Sequence, residues 1–237
     1  MLSGESTMLR AISVSIALLM LLASPAWSLT YTGSITSADG TFFASLPWSS
    51  GSSLSWSVDD TTNDGYWSYF YNFSSDIKEV SHVILEVSDT FTKANIFKAT
   101  GMDEGGLDIY SPNNSNPGLP GDIYGIKWNV PDAADGTDWD FFIVTDRKPM
   151  WGDFYAKDGT YGEAPNKTFV YGYNSMFGND TTATIADGNA GGWVLVPDTV
   201  GSEPPLPPLE QVPEPGTIAL VGLGLAAIGL YRRGRRN

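Results

Sequence analysis

Tyr66-Trp67-Ser68-Tyr69-Phe70-Tyr71-Asn72-Phe73 is the stretch that decides the fold. Its odd positions are all aromatic, while its even positions mix Tyr66 and Phe70 with Ser68 and Asn72, which is the two-residue period of a half-buried strand. The alternation predicts that Trp67 and Tyr69 point inward. Working outward, 80–87 places Val83, Leu85 and Val87 on one face, and 123–130 places Tyr124, Ile126, Trp128 and Val130 on one face. Segments 139–145, 168–173, 182–186 and 193–196 continue the series. Between them recur Asp39-Gly40, Asp64-Gly65, Asp135-Gly136, Asp158-Gly159 and Asp187-Gly188, dipeptides that supply positive φ at low cost in hairpins. Only 89–99 suggests a short helical turn. The expected body, 29–196, is all-β: an antiparallel two-sheet sandwich or jelly roll of about ten strands.

The whole chain of 237 residues is enough for one such domain plus targeting segments. Thirteen Lys and Arg face 27 Asp and Glu, a net charge of -14, so a nucleic-acid backbone would be repelled. The absence of cysteine excludes disulfides, thiolate metal sites and a cysteine nucleophile. A single histidine, His82, leaves no material for a multi-histidine metal site.

Both ends carry targeting patterns. Arg10 precedes the twelve largely apolar residues 11–22, and Ala26-Trp27-Ser28 supplies small residues at alternate positions for signal peptidase. Residues 1–28 therefore read as a signal peptide cut after Ser28, with Ala26 as the second choice. Twelve helical residues cover about 18 Å of a hydrocarbon core about 30 Å thick, too little for a permanent anchor. Glu5 is unusual ahead of a signal, which makes Met8 an alternative start. At the other end, 197–215 holds seven prolines and reads as an extended polyproline II stalk. It ends in Pro213-Glu214-Pro215. The uncharged segment 216–231 follows as a short transmembrane helix, stopped by the basic tail 232–237 with Arg232, Arg233, Arg235 and Arg236.

A Pro-Glu-Pro tripeptide, a short glycine-containing apolar helix and a terminal arginine cluster, in that order, resemble the PEP-CTERM sorting signal. The resemblance implies that exosortase, a membrane enzyme of Gram-negative bacteria, recognises Pro213, Glu214 and Pro215. It further implies export through the inner membrane, transient retention there, and delivery to the cell surface or an exopolysaccharide matrix. Within the body, residues 141–159 resemble a block found in PEP-CTERM proteins of unknown biochemical role, with Trp151-Gly152-Asp153-Phe154-Tyr155-Ala156-Lys157-Asp158-Gly159 its most distinctive part. That block reads as a strand, a tight turn at Lys148-Pro149, and a second strand closing at Asp158-Gly159.

Candidate chemistry in the body is sparse. His82 alternates with apolar residues on a predicted strand, and no Gly-x-Ser-x-Gly nucleophile elbow accompanies it, so it reads as structural. Asp132, Asp135, Asp138 and Asp140 cluster around Gly136 and offer oxygens to calcium, although aspartates also form turns by capping their own backbone. Calcium is the only cofactor suggested. Arg147, the sole arginine between the two ends, is expected to pair with a carboxylate. Of seven body tryptophans, Trp151 lies between Pro149 and Gly152, where a ring can stand exposed as a glycan-stacking platform. The expectation is a non-enzymatic structural protein of the surface or matrix, the alternatives being a carbohydrate-binding module bound to exopolysaccharide and a glycoside-active enzyme.

Overall fold

The computed structural model describes residues 29–63, 65–100, 106–113, 115–131, 136–181, 185 and 191–197. The signal segment, the linker beyond Pro197, the apolar C-terminal segment and the basic tail lie outside these residues, as do Asp132, Asp135 and Asp187-Gly188 and most of the expected strand 182–186. Among the described residues no helix is long and apolar enough to cross a membrane.

Every strand pairing is antiparallel. One sheet has five strands, in the order β1 (Thr30–Thr36), β3 (Ser52–Asn63), β4 (Tyr66–Ser75), β9 (Asp138–Thr145), β6 (Ile96–Ala99). The other has six: β2 (Phe42–Ala44), β12 (Thr168–Asn174), β11 (Phe154–Tyr161), β5 (His82–Glu86), β8 (Ile123–Asn129), β7 (Leu107–Tyr110). A two-stranded ribbon, β10 (Pro149–Gly152) with β13 (Val194–Pro197), completes the set. Among the described residues thirteen strands thus stand where about ten were expected, and the additions are mostly edge or ribbon strands of three or four residues. The expected helical turn within 89–99 is one 3-10 turn, Lys93–Asn95, leading directly into β6.

The two sheets pack through one core cluster, as a sandwich requires. Strand β4 behaves as its alternation dictates: Tyr69, Tyr71 and Phe73 are buried, and Trp67, partly covered, stacks on Tyr31 at 6.3 Å. Rings meet across the sheets where Phe42 meets Phe73 at 6.3 Å and Trp128 meets Phe141 at 5.3 Å. The buried Tyr71 hydroxyl donates to the Leu195 carbonyl at 2.8 Å, tying the ribbon to the five-stranded sheet. Burying such large side chains supplies most of the driving force for folding.

Two turn assignments are corrected. Asp158-Gly159 lies inside β11, at a register shift between Lys157 and Thr160, and Asp158 pairs with Lys78 at 2.5 Å. The chain reverses later, around Gly162, whose φ of 90° suits a residue without a Cβ. Pro149 likewise opens strand β10 instead of sitting in the turn before it.

Candidate functional site

The distinctive block around Trp151 is a junction of the fold. Trp151 is 5% exposed and meets Trp56 edge-on at 6.3 Å within the core, so the expectation of an exposed stacking platform is corrected. The misleading signal was Gly152: it is needed because a Cβ there would come within 2.5 Å of a Val196 methyl of the paired ribbon strand. Asp153 follows, buried. Its carboxylate accepts from Asn174 Nδ2 at 2.9 Å and from the Gly178 amide at 2.7 Å, while its own amide donates to Glu86 Oε2 at 2.8 Å. Burial pushes its carboxyl above the usual range and the charge of Asp180 adds to this, while the two hydrogen bonds oppose the shift. Asn174 Oδ1 in turn accepts from the Phe154 amide. Every polar group here is occupied in joining β5, β11 and β12 to the turn after Asn174.

His82 sits on the outer side of the six-stranded sheet, 5% exposed, with no hydrogen-bond partner at Nε2. Burial first, then the charges of Lys127 and Lys157, lower its pKa to about 3, although the neighbouring Asn116 side chain pulls the other way. A neutral, covered imidazole suits packing on this face. Arg147 matches its expected structural role: it lies 3.7 Å from Asp146, donates to the Thr90 carbonyl at 2.8 Å and to Asn95 Oδ1 at 3.2 Å, and covers the Phe91 ring.

Of the acidic cluster, Asp138 and Asp140 are described. Both project outward from β9, and the single amide of Asn72 donates to one oxygen of each, at 2.7 and 2.9 Å. Asp59 is held by its own turn: burial opposes ionisation, but bonds from the amides and hydroxyls of Thr61 and Thr62 win and lower its pKa. Among the described residues no three His, Asp or Glu side chains gather as a metal site.

Sequence reasoning missed the outer face of the five-stranded sheet. Its cross-strand register sets Ser34, Ser55, Asn72 and Asp140 in one row, Thr36, Ser53, Ser74 and Asp138 in the next, and Thr32, Ser57, Phe70 and Phe142 in a third. At the aromatic end, Tyr66 stacks on Phe97 at 4.4 Å and Lys98 Nζ stands 5.2 Å over Phe142. The alternating hydroxyl residues of 30–36 and 52–57 were visible in the sequence; that these strands are neighbours was not.

Taken together, the described body is an antiparallel β protein with His82 and Asp153 buried in it and a row of Ser and Thr side chains on the outer face of one sheet. The C-terminal pattern supplies the rest: the family model of the PEP-CTERM protein-sorting motif matches residues 211–236, so the chain carries this sorting signal at its C-terminal end. The motif marks an exosortase substrate and implies export through the membrane with a cell-surface or extracellular fate. No curated protein and no solved structure matches the chain.

Proposed function

We propose that this is a non-enzymatic structural protein of the cell surface or exopolysaccharide matrix. In this reading signal peptidase removes 1–28, the short apolar helix 216–231 holds the protein transiently in the inner membrane of a Gram-negative cell, and exosortase cuts near Pro213-Glu214-Pro215. The observation that carries it is the sorting motif at 211–236, which directs a folded β body outward. A non-enzymatic role is supported by the way His82, Asp153 and Arg147 are engaged in packing and in joining strands. The Pro-rich stalk would keep the cleavage site clear of the body.

Intact-mass analysis of the exported protein tests this reading. The mature chain should begin at Leu29 or Trp27 and end near Pro215 in wild-type cells, and it should keep Arg232 to Arg236 when exosortase is deleted. Identical C-termini in the two strains would refute exosortase processing.

A further inference from the structure

The outer face of the five-stranded sheet combines three features that point to one kind of ligand. First, it is a lattice of small hydroxyl side chains: β1 and β3 present Thr32, Ser34, Ser53, Ser55 and Ser57 in register, with rows about 6.8 Å apart along the strands and about 4.8 Å between strands. Among the described residues none of these five hydroxyls is hydrogen-bonded to another side chain or to the backbone. Second, the lattice ends in exposed rings. Phe97 is 63% exposed although one of its faces is stacked on Tyr66, so the opposite face carries the exposure; Phe70, beside Phe142, is 39% exposed. Third, the three rows carry no charge on β1, β3 or β4; the charged groups at them lie toward the β9 and β6 side, where Asp138 and Asp140 project and Lys98 Nζ stands over the Phe142 ring. Asp59, in the adjoining row, is turned into its own loop by Thr61 and Thr62, so the β1, β3 and β4 part of the lattice is uncharged in a chain with a net charge of -14.

From these features we infer that this face binds an uncharged polysaccharide. The lattice offers donors and acceptors at a fixed repeat to a polymer of hydroxyls, and the exposed faces of Phe97 and Phe70 stack on the C–H faces of its sugar rings. Charge selects among ligands. A polyanionic glycan is opposed by Asp138 and Asp140 and by the net charge. A protein or lipid surface would want contiguous apolar area, and rows of Ser and Thr do not provide it. The inference deepens the proposed matrix role by naming the polymer class it would meet, and it stands or fails separately, because processing is read by mass and binding by retention.

The test uses the purified full-length chain in detergent, run through native gels containing hydroxyethyl cellulose, a neutral β-glucan, or alginate, a polyuronate. Retardation is expected in the glucan gel, unchanged by added salt, and absent in the alginate gel. The double variant Phe70→Ala/Phe97→Ala should bind glucan about ten-fold more weakly. Ser55→Lys, which sets a long charged side chain in the middle of the lattice, should abolish retardation while the melting midpoint stays within about a degree of the parent. No retardation in glucan, salt-sensitive retardation in alginate, or glucan binding that survives Ser55→Lys in a folded protein would each overturn the inference.

Discussion

The two sheets share a core but treat their outer faces in opposite ways. On the outer side of the six-stranded sheet, Leu119 of the segment 115–122 packs with Ile84, Ile123 and Tyr155 in a second small core, and the Tyr155 hydroxyl donates to the Pro117 carbonyl at 2.8 Å. Gly118, with φ of 73°, lies against the Tyr171 ring at a place where no Cβ would fit. The five-stranded sheet shows small hydroxyl residues at most of the corresponding outward positions, with rings at one end and a single covered row, Asp59, Ser68 and Val144, beside them. Both sheets obey the same two-residue period, so periodicity locates the core without saying what lies on the far side. The outward residues decide that: Ile84 and Tyr155 call for a cover, while Ser and Thr do not.

The largest expected effect comes from breaking what the two faces have in common. Trp151 lies in the shared core at 5% exposure, so Trp151→Ala should cost about 3–5 kcal/mol through lost burial and the cavity left behind. Out of a total stability of about 5–15 kcal/mol this approaches unfolding. Urea denaturation measures it. A loss under about 1 kcal/mol would return the ring to the surface.

That residue also shows where the sequence was legible and where it was not. The strand 66–73 could be read because eight residues hold four full periods. The ribbon strands β10 and β13 have four residues each, too few to show a period, and Pro149 and Gly152 inside β10 imitate a turn. A glycine in sequence cannot reveal whether it serves a left-handed φ, as Gly162 does, or a close approach, as Gly152 does. The surroundings of His82 come from distant positions, the Asn116 side chain and the Tyr155 ring at 6.3 Å, which its own strand does not reveal. The hydroxyl lattice depends on β1, β3, β4 and β9 being neighbours, a matter of topology beyond any single segment.

The second prediction separates the faces directly. Leu119 is 3% exposed under the six-stranded face, and Leu119→Ala should cost about 2–3 kcal/mol, at the low end for a buried leucine because a connecting segment can partly collapse onto the gap. Ser55→Ala on the bare face should change stability by less than about 0.5 kcal/mol. Equal losses at the two positions would mean that the bare face is covered too.

A third outcome concerns pH. The folded pKa of His82 is about 3, below its ordinary 6.5, so between those values the unfolded chain holds a proton that the folded chain refuses. Its contribution is therefore fully present above about pH 6.5 and declines as pH falls toward 3, with a limiting slope of about 1.4 kcal/mol per pH unit. Ordinary carboxylates are already ionised between about pH 5 and 6.5, and the raised Asp153 carboxyl is common to parent and variant, so the difference between the two curves isolates the histidine. Denaturation midpoints of the parent should drop across that window, and those of His82→Gln should stay nearly level. A parent curve as flat as the variant's would show that His82 is open to water in the folded state.

The smallest expected effect falls on the acidic edge of the bare face. Calcium wants six to eight oxygens, and Asp138 and Asp140 could contribute to such a set only together with Asp132, Asp135 and backbone carbonyls. Each already shares one oxygen with the Asn72 amide, an uncharged group that separates two like charges on adjacent outward positions without any ion. If that amide is sufficient, melting midpoints in calcium and in chelator should agree to within about a degree at fixed ionic strength, because an ion that binds the folded state would raise the midpoint by mass action. Asn72→Leu should then lower the midpoint by a few degrees, since the two carboxylates lose their common donor, and added calcium should not restore it. A midpoint that climbs with free calcium in the parent, and climbs further in Asn72→Leu, would instead make these aspartates ligands and give the bare face a charged, metal-bearing border.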